Sequence, residues 1–139
     1  MVMDVLNLKF PEDSFDAATL FCYGFGLCGL EGSRKMLQGL SKVVRPDGLL
    51  IASSLDPKNT MNPVHLAYHQ RNRELDKPIG LVRIRINFHD LKGEWFNLYL
   101  IEPEHVEDFI SGTGWSIERL LESEDQTNAF YGVALRNSK

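Results

Sequence analysis

Apolar residues run almost unbroken from 15 to 23, through Ala17, Ala18, Leu20, Phe21 and Cys22. A run of that kind between turn residues predicts a strand buried on both faces. The period then changes. Leu30, Met36, Leu37, Leu40, Val43 and Val44 recur at helical spacing, with Arg34, Lys35, Gln38 and Lys42 turned outward, which predicts a helix over 30–44. Arg45-Pro46-Asp47-Gly48 should end it, because Pro46 cannot continue a helix and Gly48 permits a turn. A second apolar run, 49–55, reads as another buried strand. Strand, helix and strand in that order form a crossover unit, so the fold class is α/β with a parallel pairing at its centre.

Residues 56–63 are rich in turn formers, and 64–75 carry His65, Leu66, Tyr68, His69 and Leu75 on a predicted helix closed by Pro78 and Gly80. From 81 to 101 the period becomes two. Val82, Ile84, Ile86 and Phe88 alternate with Arg83, Arg85, Asn87 and His89, and the return strand over 95–100 alternates Phe96, Leu98 and Leu100 with Trp95, Asn97 and Tyr99. This is a β-hairpin with its turn at 90–94. A helix follows at Pro103, with Glu102 and Glu104 beside its positive end, Val106, Phe109 and Ile110 as its buried stripe, and Gly112 or Gly114 as its stop. Strands over 115–121 and 130–136, joined by the polar stretch 122–128, complete one domain, 1–139, without repeat or linker.

Composition narrows the class. The 139 residues carry 43% hydrophobic and 24% charged positions, enough for one core. A net charge of -4 and a pI near 5.5 give no basic surface for nucleic acid. Arg71, Arg73, Arg83 and Arg85 are a local exception, read as a solvated strand face and helix end. Cys22 and Cys28 lack the spacing of a disulfide framework or zinc site, which fits a reducing cytoplasm. His65 and His69 stand four apart, a chelating spacing, but no third ligand accompanies them, so no metal is expected. No apolar stretch has the length that spans a bilayer, and no membrane association is expected.

Three separated stretches carry a family resemblance. Residues 4–16, ending Pro11-Glu12-Asp13-Ser14-Phe15-Asp16, lead into the first strand; residues 40–50 read LSKVVRPDGLL; and Tyr99-Leu100-Ile101-Glu102-Pro103-Glu104 runs through a helix to Gly114-Trp115. In this order they resemble class I S-adenosylmethionine-dependent methyltransferases from strand four onward. The resemblance implies a partial Rossmann-like sheet in the family's order 4-5-7-6, its last strand antiparallel, with the hairpin as an insertion.

It also implies roles. Asp4 would accept a hydrogen bond from the adenine amino group of S-adenosylmethionine, with Val5 and Leu6 giving backbone and apolar contact. Cys22, Tyr23 and Gly24 would lie beside the reactive methyl group. Tyr23, His69 and Tyr99 are the candidates for a catalytic group acting on a small-molecule acceptor, and Tyr68, Arg83 and Arg85 are conceivable substrate contacts. The simpler readings are a surface carboxylate at Asp4, core packing at Cys22 with Tyr23 capping it and Gly24 relaxing a turn, and hairpin packing or dimer contact for Tyr68, His69, Arg83, Arg85 and Tyr99. The glycine-rich strand and loop with which the family begins have no counterpart before Met1, so the expectation is a cofactor cleft that is incomplete, and inactive, in this chain alone.

Two other readings stand beside this one. Gly24-Phe25-Gly26-Leu27-Cys28-Gly29 matches a dinucleotide-binding glycine motif after a strand and before a helix, although the acid that should follow about 20 residues on is displaced to Asp56. A non-catalytic interaction module would instead use an exposed sheet edge to bind itself or a partner. An apolar first strand without a neighbour is such an edge. Self-association, or pairing with a separate N-terminal half, is therefore expected, and sedimentation equilibrium should show species larger than a monomer; a strictly monomeric chain would contradict it.

Overall fold

The computed structural model describes residues 1–125 and 127–139. After an irregular segment packed on the core through Val5, Leu6, Leu8 and Phe10, the chain forms β1 (Phe15–Leu20), α1 (Gly29–Val43) and β2 (Val44–Leu55). Next come α2 (Pro63–Glu74), four short strands β3 (Leu81–Ile84), β4 (Asn87–Phe88), β5 (Leu91–Lys92) and β6 (Phe96–Tyr99), and α3 (Val106–Ile110) behind a 3-10 turn at Pro103–His105. The chain ends in β7 (Trp115–Leu121) and β8 (Phe130–Asn137). The polar connector predicted over 122–128 includes Gln126, which lies outside the described residues.

The main sheet has the order β1-β2-β8-β7; β1 and β2 run parallel, and β8 is antiparallel to both β2 and β7. Alternation in β2 and β8 decides the core. Leu50, Ala52, Tyr131, Val133 and Leu135 are buried beneath α1, whose Met36, Leu37 and Leu40 form the facing stripe. The opposite face, with Leu49, Ile51 and Ala134, is only half covered.

Three elements differ from the sequence reading. The strand over 15–23 is shorter, ending at Leu20, and is not buried on both faces: it is the sheet edge, and Phe15, Asp16, Ala17 and Thr19 are exposed. An apolar run records propensity for strand, not the number of neighbours. Arg45-Pro46-Asp47-Gly48 does not separate helix from strand but bulges within β2, whose pairing to β1 jumps from Phe15↔Val44 to Ala17↔Leu49. A bulge tolerates Pro46 because no ladder hydrogen bond is required there. It is held by Arg45 to Asp16 at 2.9 Å and by Arg136 Nη1 donating to the Asp47 carbonyl at 2.9 Å. The hairpin turns at His89-Asp90 rather than over 90–94, since Phe88 pairs directly with Leu91; His89 takes the left-handed backbone (φ 52°) that so tight a turn demands.

Buried amides tie the layers together. Asn137 Nδ2 reaches the carbonyls of Ser41 and Val44 at 2.8 Å and that of Arg45 at 3.2 Å, joining the last strand to the end of α1. Asn72 in α2 reaches the carbonyls of Pro78, Ile79 and Leu81 at 3.1, 3.1 and 2.9 Å, fixing that helix to the start of the hairpin. Apart from His69 and Asn72, α2 buries no residue, and its Val64 and Leu66 are exposed. Replacing Asn137 by Ala should strand buried carbonyls and cost about 2 kcal/mol in urea unfolding; a loss within experimental error would show that these bonds add nothing to stability.

Candidate functional site

In α/β sheets, ligands gather at the carboxyl ends of the parallel strands. Here β1 leaves the sheet sharply. Cys22 adopts a left-handed backbone (φ 58°), Gly24 N–H donates to the Phe21 carbonyl at 3.0 Å, and Ser53 Oγ of β2 donates to the Cys22 carbonyl at 3.1 Å. The consequence is that Phe21, Cys22 and Tyr23 point outward: Cys22 is exposed, not packed in the core as its apolar surroundings in sequence implied. Tyr23 is 41% exposed and rests against Phe130, ring centroids 5.7 Å apart.

Asp4 forms a turn with its own backbone, Oδ1 accepting Leu6 N–H at 2.9 Å and its carbonyl accepting Asn7 N–H at 3.0 Å. Val5 and Leu6 are half-buried while Asp4 stays exposed. Burial and, after it, the negative charge of Asp4 push the Cys28 thiol up from its ordinary pKa. Cys28 caps α1, so Asp4 acts at the far end of the same loop that Cys22, Tyr23 and Gly24 begin.

Beyond Tyr23 lies a cavity of about 640 Å³. One wall is the end of β2 and the loop after it, with Leu55, Pro57 and Thr60; a second is α2, with Val64, His65, Tyr68 and His69. The third is the inner face of the hairpin, where Val82, Ile84, Phe96 and Leu98 stand side by side at period two. The lining is overwhelmingly apolar. Thr60 Oγ1 and His65 Nδ1 are 2.9 Å apart, which locks the mouth of α2. His69 is 6% exposed and has no hydrogen-bond partner among the described residues. Burial first, then the Arg73 charge and the neighbouring His65, hold its pKa below the ordinary histidine value. That direction favours the uncharged imidazole.

The three catalytic candidates are not brought together. Tyr23 and His69 share the cavity, whereas Tyr99 sits on the other face of β6, edge-on to Phe109 with centroids 5.4 Å apart. Burial, then the charge of Glu102, push the Tyr99 phenol up in pKa, as befits a core residue. The glycine motif is likewise structural. A side-chain carbon on Gly26 would lie 1.7 Å from the Tyr99 carbonyl oxygen, and one on Gly29 (φ 72°) 3.1 Å from Asn97. The close approach of β6 accounts for Gly26 and Gly29 without a phosphate, so nothing in the structure supports the dinucleotide reading. Among the described residues no group of three or more His, Cys, Asp or Glu side chains is arranged to hold a metal, and no helix is long and apolar enough to cross a membrane. Sequence reasoning missed the cavity itself. Its signal was the period-two apolar face of the hairpin, with no indication of what that face would meet.

Because His69 binds a proton more readily in the unfolded chain than in the fold, its contribution to stability is complete above the ordinary histidine pKa of 6.5 and is lost as pH falls below it. Urea unfolding at about pH 7.5 and about pH 5 should show a larger loss on acidification for the wild type than for His69→Gln; equal losses would remove His69 as the source.

No family model matches the chain. Its sequence is 39% identical, over 67 residues, to a 2-phytyl-1,4-naphtoquinone methyltransferase of Nostoc punctiforme, a match spanning 48% of this chain and 27% of that protein. An S-adenosylmethionine-dependent methyltransferase from Methanosarcina mazei superposes with a TM-score of 0.71 at 13% identity, over 99% of this chain and 66% of that one. A second, from Bacteroides fragilis in complex with S-adenosyl-L-homocysteine, gives 0.69 at 17% identity, over 97% and 52%. The chain thus spans about half to two thirds of the solved structures it resembles. Together the sequence match and the superpositions support a relation to the S-adenosylmethionine-dependent methyltransferases, and the fold of this chain is theirs.

Proposed function

We propose that this chain supplies the acceptor side, and one edge of the cofactor site, of an S-adenosylmethionine-dependent methyltransferase. The observation that carries the reading is the apolar cavity opening beside Tyr23 at the carboxyl end of the parallel strands, on a fold shared with a protein solved with S-adenosyl-L-homocysteine. The donor set is compatible with the cofactor. Asp4 keeps a carboxylate oxygen free for an adenine amino group, half-buried Val5 and Leu6 offer an apolar seat, and the outward turn at Cys22-Tyr23-Gly24 gives backbone close to the cavity. The sheet order β1-β2-β8-β7 supports reading these strands as four, five, seven and six of such a sheet.

The cofactor supplies an activated methyl group, so the protein's task is to hold the acceptor in line and keep water out. The hairpin face and β2 loop give an apolar slot. The His69 imidazole, held below its ordinary pKa and without a hydrogen-bond partner among the described residues, can take the proton from a hydroxyl acceptor as it is methylated. Tyr23, between cavity and strand end, would set the acceptor's approach. The Nostoc relative is named for 2-phytyl-1,4-naphtoquinone, and an apolar acceptor suits the lining here. The open edge of β1 is where further strands of the sheet would add, from a second copy or a separate N-terminal half.

Calorimetric titration with S-adenosyl-L-homocysteine tests this, using the chain alone and mixed with an N-terminal half bearing a glycine-rich strand-turn segment. Saturable binding in either arrangement, weakened roughly tenfold by Asp4→Ala, is expected. No binding in both would refute the reading.

A further inference from the structure

A second cleft, of about 600 Å³, lies on the other side of Tyr68. Its cations are Arg71 on α2, Lys77 in the following turn and Arg83 on β3, and no Asp or Glu lines it. Among the described residues, none of those three side chains forms an ion pair or a hydrogen bond. Nearby acids are spoken for or set aside: Glu74 accepts from Gln70 at 3.1 Å, and Asp76 and Glu94 stay outside the lining. Trp95 forms one wall, with the Arg85 guanidinium 4.9 Å from its ring centroid. In a chain of net charge -4, this concentration of unpaired cations runs against the whole.

The cleft adjoins the apolar cavity. Tyr68, Val82 and Arg83 line both, and the Tyr68 hydroxyl accepts the Arg83 backbone N–H at 3.2 Å, pinning the shared wall. A cationic basin beside an apolar slot matches a molecule with the opposite halves. We propose that the ligand of this chain is an amphipathic anion, whose apolar body enters the cavity under the hairpin while its carboxylate or phosphate is held by Arg71, Lys77 and Arg83. Guanidinium forks bind such groups in two-point fashion, which gives orientation as well as attraction. Identifying this ligand with the methyl acceptor rests on the function proposed above; the binding site itself does not, because it needs no cofactor.

Dodecanoate, dodecyl phosphate and dodecan-1-ol, each below the concentration at which it aggregates, are suitable probes, followed by Trp95 fluorescence and calorimetry without cofactor. Wild-type protein should bind at least one of the anions roughly tenfold more tightly than the alcohol, and added salt should narrow the gap. Which anion binds better distinguishes a carboxylate from a phosphate ligand. Arg71→Gln combined with Lys77→Gln should remove most of the preference and leave alcohol binding unchanged, since neither side chain lines the apolar cavity, with the thermal midpoint as the check on folding. Equal affinity for alcohol and anions in the wild type, or no binding of any probe, would overturn the proposal without touching the cofactor titration. Sedimentation with phosphatidylglycerol vesicles in the absence of dodecanoate or dodecyl phosphate binding would overturn it too, assigning the cations to a lipid surface.

Discussion

The contact on which the site depends is the close approach of two backbones at Gly26 and Tyr99. The hairpin strand β6 lies so near the loop after β1 that even one added carbon at Gly26 would overlap the Tyr99 carbonyl. Only glycine permits this, and it seats the hairpin across the strand ends. One face of β6 then closes the core, through Tyr99 against Phe109, and the other roofs the cavity with Phe96 and Leu98. The period-two alternation thus serves two compartments, and the same glycines that mimic a nucleotide motif exist to bring a strand, not a phosphate, into contact.

Much of the fold was legible because it depends on local periodicity. The stripe of α1 was readable from Met36, Leu37 and Leu40, and the hairpin from Val82 to Leu100, because side-chain direction follows element type. The order of motifs from Asp4 to Trp115 carried the methyltransferase likeness. What the sequence could not convey was tertiary. The exposure of β1 depends on which strands stand beside it, and the bulge at Pro46-Asp47 on a pairing register that no local pattern records. Cys22 looked like a core residue among Leu20, Phe21 and Tyr23, yet a single left-handed residue turns that stretch out of the sheet.

The site was legible in part. Tyr23 and His69 do line one cavity, although they are 46 residues apart in sequence and only the folded chain joins them. Tyr99 was separated from them by strand alternation, since neighbours on β6 point to opposite faces. Arg71, Lys77 and Arg83 looked like solvent-facing charge because their shared cleft is assembled from a helix, a turn and a strand. Their side chains converge only after Asn72 has drawn α2 onto the hairpin.

That helix is built inside out. Its buried residues are His69 and Asn72, Leu66 is exposed and Val64 stands at the cavity rim, so what holds it is a few directional bonds at one end more than area withdrawn from solvent. Apolar burial resists separation over its whole contact, whereas hydrogen bonds yield within a fraction of an ångström. By that reasoning α2 is the panel of the enclosure that detaches at least expense, hinged where Asn72 grips the hairpin.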